Sequence, residues 1–154
     1  MNDAPTGSDP TLSTVSDQPK LSPSVLAILS DARRHLLEAI DAPTPGLRYV
    51  EAHLAALRAA ATVVAARSHP LTGTGRRRVR SAWELLSEAA PELNGWAAFF
   101  AGGADKRAAA EAGQAVAEAD ADALMEDAQT FLALVETTLG LPGQPVLPLE
   151  RRRP

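Results

Sequence analysis

Residues 44–67 of this chain read TPGLRYVEAHLAALRAAATVVAAR, and this stretch decides the fold. Its larger apolar residues recur at alternating spacings of three and four, which places them along one face of a helix. The predicted buried face consists of Leu47, Val50, Leu54, Leu57, Ala61 and Val64. Thr44 can accept a hydrogen bond from the first-turn amides, and Pro45 suits the first helical position because its missing N–H would have no partner there. The pattern therefore predicts a long core helix that ends near residue 67.

Similar patterns predict further helices on both sides of this stretch. A first helix opens at Ser22 or Ser24 and ends before Asp41, and a short link then makes it an antiparallel neighbour of the core helix. Its predicted buried face is Val25, Leu29, Ala32, Leu36 and Ile40. After the core helix, Ser81 and Glu84 fit the capping box that begins a helix over SAWELLSEAA.

The remaining helices carry smaller or more polar side chains. Pro91 opens a helix over PELNGWAAFFA, with Leu93, Trp96, Ala97 and Phe100 on one side, and ADKRAAAEAGQA forms a weaker helix. A last long helix runs from about residue 118 to 139, and Gly140 is placed to cap it. Its inward residues are predicted to be Leu124, Ala128, Phe131, Val135 and Leu139.

The fold class is therefore predicted to be all-α, since no segment shows the alternation of a strand. We expect an up-and-down bundle of four longer helices plus one or two short ones. A length of 154 residues with 45% hydrophobic content suits one core. The expected organisation is a disordered tail over residues 1–21, the bundle over residues 22–140, and an extended tail rich in proline and arginine over residues 141–154.

Composition excludes several classes of function. There is no cysteine, which rules out disulfides, thiolate metal sites and a cysteine nucleophile. No segment approaches the length of a membrane span or follows the pattern of a signal peptide, so a cytoplasmic protein is expected. No cofactor motif occurs, and the acids Asp120, Asp122, Glu126 and Asp127 do not predict a metal, because first-turn acids are usual at a helix start. His35 and His69 are interpreted as isolated.

The charge is unevenly distributed along the chain. A net charge of -4 conceals a basic cluster of four arginines between residues 76 and 80, whereas residues 105–136 hold eight acids against two bases. The candidate phosphate-binding or RNA-binding residues are Arg76, Arg77, Arg78, Arg80 and the helix cap Ser81. Guanidinium groups beside the free amides of a helix start suit a phosphate. The alternative is a solvated basic loop.

Arg48 and His53 are the candidate catalytic pair. Four residues separate them, so their side chains lie about 140° apart around the helix and cannot converge on one ligand from a single helix. A partner would have to complete such a site. The alternative interpretation makes His53 a residue at the margin of the buried face that bonds a facing helix, and Arg48 a surface residue.

Three large rings, Trp96, Phe99 and Phe100, crowd one short helix. They are interpreted mainly as core residues. Because three such rings on one short helix cannot all face inward, one of them could lie on a dimer surface.

The order of these segments resembles a known family. RYVEAHLAALRAAATVVAAR, then RSAWELL, then APELNGWAAFFAGGA and an acidic helix with EDAQTFLALVE are similar to an actinobacterial branch of the HEPN superfamily, over about residues 26–139. The resemblance implies a helical bundle that commonly dimerises. In many members an Arg and a His with four to six residues between them cleave RNA without a metal. Other members serve as binding modules, sometimes beside a nucleotidyltransferase.

The resemblance implies that Arg48 would hold a phosphate and that His53 would act as acid or base at the 2′-hydroxyl or the leaving group. Two features depart from the nuclease pattern, since the motif comes early in the fold and Tyr49 follows Arg48. The preferred hypothesis is a HEPN-like homodimeric module that binds RNA, a nucleotide or a protein partner. The alternatives are a metal-independent endoribonuclease and a purely structural dimerisation bundle.

Overall fold

The computed structural model describes residues 21–67 and 81–142, which form six α-helices and one short 3-10 helix. The α-helices are α1 (Pro23–Asp41), α2 (Pro45–Arg67), α3 (Ala82–Ala89), α4 (Asn94–Ala101), α5 (Ala104–Glu111) and α6 (Glu118–Thr138), and the 3-10 helix spans Pro91–Leu93. These residues contain no strand, which confirms the all-α prediction. Three helices are long and three have eight residues each, where the sequence suggested four longer helices and one or two short ones.

Three predicted segments lie outside the described ranges. They are the N-terminal tail over residues 1–20, the loop and basic cluster over residues 68–80, and the C-terminal tail from residue 143 onward. Within residues 21–67 and 81–142, no helix is both long and apolar enough to cross a bilayer. The cytoplasmic location stays a prediction.

The first two helices form a hairpin with predictable ends. The Ser22 hydroxyl accepts a hydrogen bond from the Val25 amide at 3.2 Å, and the Thr44 hydroxyl accepts one from the Leu47 amide at 3.2 Å. Of the helix pairs described here, α1 and α2 make the most extensive contact. Four of the five residues predicted to be buried in α1 are buried, and the fifth, Ile40, is partly buried.

The sequence analysis predicted the wrong buried face for α2. The buried residues are Tyr49, Ala52, His53, Ala55, Ala56, Ala59, Ala60, Thr62 and Val63, whereas Leu47 is 50% exposed and the other predicted residues are only partly buried. The reason is that α2 is the central helix and packs against α1, α3, α5 and α6. Alanine allows neighbouring helices to approach closely, so the small residues occupy the contacts and the leucines lie at their margins.

Aromatic rings fill the space between α3, α4 and α6. Trp83 stacks on Phe100 with 5.3 Å between ring centroids, and Phe100 lies 5.2 Å from Phe131. Trp96 is partly buried, while Phe99 is 51% exposed. The prediction that the three rings of α4 cannot all face inward is therefore confirmed, and a dimer surface at Phe99 stays a prediction.

The later helices begin and end largely where the sequence indicated. The Ser81 hydroxyl accepts a hydrogen bond from the Glu84 amide at 3.2 Å. Gly140 has a φ of 72°, and the amide of Leu141 donates to the carbonyl of Glu136 at 2.9 Å, which closes α6 with a Schellman motif. Helix α5 also packs on α2, but unlike α6 it has no buried residue.

Candidate functional site

The imidazole of His53 is sealed inside the bundle. The residue is 1% exposed, and Nε2 donates a hydrogen bond to the carbonyl oxygen of Phe100 at 3.2 Å. A carbonyl only accepts hydrogen bonds, so the ring carries its proton on Nε2. The rings of Trp83 and Phe100 stand nearly perpendicular to the imidazole, with centroids 6.0 and 6.4 Å away. The prediction that His53 lies at the margin of the buried face is therefore corrected, because neighbouring helices cover it.

The surroundings of His53 keep its ring neutral. Burial lowers its pKa and outweighs the hydrogen bond with Phe100, which raises it. The charge of Arg107 lowers the pKa further, whereas Glu111 acts in the opposite direction. The ordinary pKa of histidine is 6.5, and that of His53 lies below it. The imidazole is therefore uncharged at neutral pH, and Nδ1 holds a lone pair.

Arg48 lies on another side of α2 and contacts another helix. Its Nη1 donates to Oδ1 of Asp122 on α6 at 2.5 Å, and the arginine side chain is 20% exposed. His53 instead contacts α3 and α4, through Trp83 and Phe100. Within one chain the two candidate residues therefore do not face a common cleft, as their angular separation on the helix predicted.

Three buried polar atoms near this motif lack a hydrogen-bond partner within the described residues. They are Nδ1 of His53, Nε of Arg48 and Nε of Arg107. Two of these residues lie on α2 and the third on α5, which packs against α2. A buried polar atom without a hydrogen bond lowers the stability of the fold, so such atoms at a predicted site require an explanation.

Helix α5 also contributes a lysine to the surface of α2. The ammonium of Lys106 lies 5.2 Å from the centre of the Tyr49 ring and binds Asp120 at 2.9 Å. Burial raises the pKa of the Tyr49 phenol, and the nearby Lys106 partly offsets this. A Cβ on Gly103 would lie 3.3 Å from the Tyr49 hydroxyl, so the start of α5 lies close against α2.

The basic cluster cannot be placed, because Arg76, Arg77, Arg78 and Arg80 lie outside the described residues. Its helix cap, Ser81, is described, and the hydroxyl accepts a hydrogen bond from its own helix. Ser81 thus has a structural function at the start of α3, and phosphate binding by the cluster stays a prediction.

His35 is not isolated, contrary to the sequence analysis. Its Nδ1 lies 2.6 Å from Oε2 of Glu51 on α2 and 3.8 Å from Oε2 of Glu38 on its own helix. Sequence reasoning missed the main contact because Glu51 is 16 residues away. The His-x-x-Glu spacing of His35 and Glu38 was the one available signal, since residues three apart are neighbours on a helix.

The sequence of this chain matches the model of a known protein family. A family model described as SAV_6107-like HEPN matches residues 39–136, from the end of α1 almost to the end of α6. The chain belongs to this HEPN family. The actinobacterial source stays a prediction. Neither the curated proteins nor the solved structures contain a match to this HEPN chain.

Proposed function

We propose that this HEPN domain is a non-catalytic binding module that associates with a second copy of itself. The observation that carries the proposal is the environment of the Arg48 and His53 pair. A general acid or base must reach the proton that it transfers. His53 is 1% exposed and bonded to a backbone carbonyl, and the charge of Arg48 is compensated by Asp122. Both residues therefore act in packing.

Electrostatics disfavour RNA binding by the described surface. Residues 21–67 and 81–142 contain fifteen acidic residues and seven basic ones. A surface with this excess of negative charge repels a phosphate backbone. Binding of RNA or a nucleotide would require the arginines at residues 76–80, which lie outside the described residues. Such binding stays a prediction.

An apolar surface at the α1–α2 hairpin supports association. Leu37 is 59% exposed and Leu47 is 50% exposed, and both line a cavity of about 390 Å³ between the two helices. Leu26, 44% exposed, comes three helical turns before Leu37 and so lies on the same face of α1. We call Leu26, Leu37 and Leu47 the leucine surface. Exposed apolar side chains grouped in this way are typical of interfaces.

Light scattering of the full chain at micromolar concentration tests the proposal. We expect the mass of a dimer for the parent protein and that of a monomer for Leu37→Asp, because an interface buries the charge without a partner. Phe99→Asp is the matched control: this ring is also half exposed, but it lies on α4, and the variant should remain dimeric.

Either of two results would contradict the proposal. A monomeric parent protein would remove self-association altogether. If Phe99→Asp dissociated the dimer and Leu37→Asp did not, the interface would lie on α4 and not on the leucine surface. Far-UV circular dichroism distinguishes dissociation from unfolding in each variant.

A second candidate function is the metal-independent endoribonuclease. The observation in its favour is that Nε of Arg48, Nδ1 of His53 and Nε of Arg107 are each buried without a hydrogen-bond partner among the described residues. Polar atoms of this kind, brought together from two protomers, would suit a phosphate. The test is RNA cleavage in the presence of a chelator. Cleavage that is lost in His53→Ala and retained in His35→Gln would favour the nuclease over the binding module.

A further inference from the structure

One cluster of side chains outside the Arg48 and His53 pair has the composition of a metal site. Nδ1 of His35 and one carboxylate oxygen each from Glu38 and Glu51 lie within 4.8 Å of one another. His35 and Glu38 are neighbours on α1, and Glu51 comes from α2. Two packed helices thus place one nitrogen and two oxygen donors close to one another.

The distances are close to those that a zinc ion requires. Zinc binds imidazole nitrogen and carboxylate oxygen at about 2.0 to 2.2 Å, so two tetrahedral ligands are about 3.3 to 3.5 Å apart. Nδ1 of His35 is 3.8 Å from Oε2 of Glu38 and 2.6 Å from Oε2 of Glu51. Side-chain shifts of less than about 1 Å would convert this set into three zinc ligands.

The hydrogen bond between His35 and Glu51 uses the same two atoms, Nδ1 and Oε2, that a cation would bind. At 2.6 Å the carboxylate accepts a hydrogen bond from Nδ1. A metal ligand must be deprotonated, so the cation displaces the proton from Nδ1, to solvent if the ring is doubly protonated or to Nε2 if it is neutral. The lone pair of Nδ1 then binds the metal. The same two groups therefore serve a hydrogen bond without the metal and two coordination bonds with it.

Arg34 holds Glu38 in a suitable orientation. Its Nη1 donates to Oε1 of Glu38 at 3.0 Å, whereas the oxygen that faces His35 is Oε2. One carboxylate oxygen is thus fixed by the arginine while the other points to the cluster. Groups that bind the outer atom of a ligand in this way orient metal sites in general.

The site is partly shielded and has room for a further ligand. The side chain of His35 is 13% exposed and that of Glu51 is 22% exposed. Glu38 and Glu51 also line the cavity of about 390 Å³ beside the leucine surface. A three-ligand set with open space beside it suits zinc with water in the fourth position.

From this arrangement we infer that His35, Glu38 and Glu51 bind one Zn²⁺ ion per chain. A nitrogen donor with only two carboxylates favours zinc over Mg²⁺ or Ca²⁺, which prefer more oxygen ligands. The inference does not rest on the proposed self-association. It differs from the metal that the sequence analysis rejected, which concerned the acids at the start of α6.

Calorimetric titration of the chelator-treated full chain with Zn²⁺ tests the site. We expect one ion per chain in the parent protein and at least tenfold weaker binding in His35→Gln and in Glu51→Gln. Glutamine at position 51 can still accept the hydrogen bond of His35, so that variant should keep the fold. Glu92→Gln is the matched control, because it removes a carboxylate that pairs with Arg67 away from the cluster, and its affinity should equal that of the parent.

Two further readouts separate this site from adventitious binding. Co²⁺ in place of Zn²⁺ should give visible absorption bands of a four-coordinate ion in the parent protein and in Glu92→Gln, but not in Glu51→Gln. Replacement of His69 by Gln should leave zinc binding unchanged. Absence of zinc binding, or equal affinity in the parent and in both cluster variants, would overturn the inference.

Discussion

Replacement of His53 by leucine tests whether this residue acts only in packing. The two side chains have similar volumes, so no large cavity forms. The variant loses one hydrogen bond, worth about 0.5 to 1.5 kcal/mol, but the Phe100 carbonyl keeps the amide of Gly103 as a donor at 3.0 Å. It also removes the unpaired Nδ1, whose burial costs about 1 to 3 kcal/mol. These contributions oppose each other, and at about pH 7.5 we expect the free energy of unfolding to change by no more than roughly 1 kcal/mol.

The pH dependence gives the sharper result. The pKa of His53 is lowered on folding, so the unfolded chain binds the proton more tightly than the native protein does. The stability of the parent therefore falls as the pH drops below 6.5, by at most about 1.4 kcal/mol per unit, until the folded pKa is reached. Leucine has no such titration. At about pH 5.5 His53→Leu should be more stable relative to the parent than at about pH 7.5, by up to about 1.4 kcal/mol.

Urea denaturation followed by circular dichroism at both pH values measures this difference. The other titrating groups are common to both proteins, so their contribution largely cancels. A variant that is less stable than the parent by more than about 3 kcal/mol at about pH 7.5, or a difference that does not change with pH, would refute the reasoning.

Three other predictions concern ion pairs, a carboxyl group and the arginine cluster. Arg33→Ala should destabilise the fold by about 1 to 3 kcal/mol in the same denaturation assay, because it leaves the buried carboxylate of Glu136 unpaired. The control is Arg34→Ala, which removes an exposed ion pair with Glu38 and should cost less than about 0.5 kcal/mol. Asp127→Asn should raise the free energy of unfolding at about pH 7, and by less at low pH, because burial, assisted by Glu126, raises the pKa of this carboxyl and disfavours its ionised form in the fold. The carboxyl is partly exposed, so solvent screening keeps this increase below about 0.5 kcal/mol. Replacement of Arg76, Arg77 and Arg78 by alanine should weaken any RNA binding and reduce its salt dependence by about three phosphate contacts, and unchanged filter binding would exclude the cluster as the RNA site.

Local rules predicted most of the helix ends. Ser22, Thr44 and Ser81 each accept a hydrogen bond from an amide three residues later, as their side chains and positions indicated. These are contacts within one turn, so the sequence carries all the information that determines them. The buried faces of α1 and α6 were also largely predictable, because each presents one apolar face to the bundle.

Helix α2 shows where such reasoning fails. Periodicity selected its leucines, but a helix covered on several sides has no single apolar face, and alanines occupy the contacts. His53 was misplaced for the same reason. The position of Arg48 relative to His53 was predictable from helix geometry alone. The contact of His35 with Glu51 was not, because it depends on the register between two helices.

The packing of α1 also bears on how the protein can be shortened. Most of α1 precedes residue 39, where the family match begins, yet α1 makes the most extensive contact with α2. A fragment trimmed to residues 39–136 would lack Leu29, Ala32 and Leu36, all of which are buried. Such a truncation would uncover one side of the central helix, so the product should aggregate when expressed alone. Boundaries for recombinant pieces of this protein are therefore better placed before Ser22 than at the edge of the family alignment.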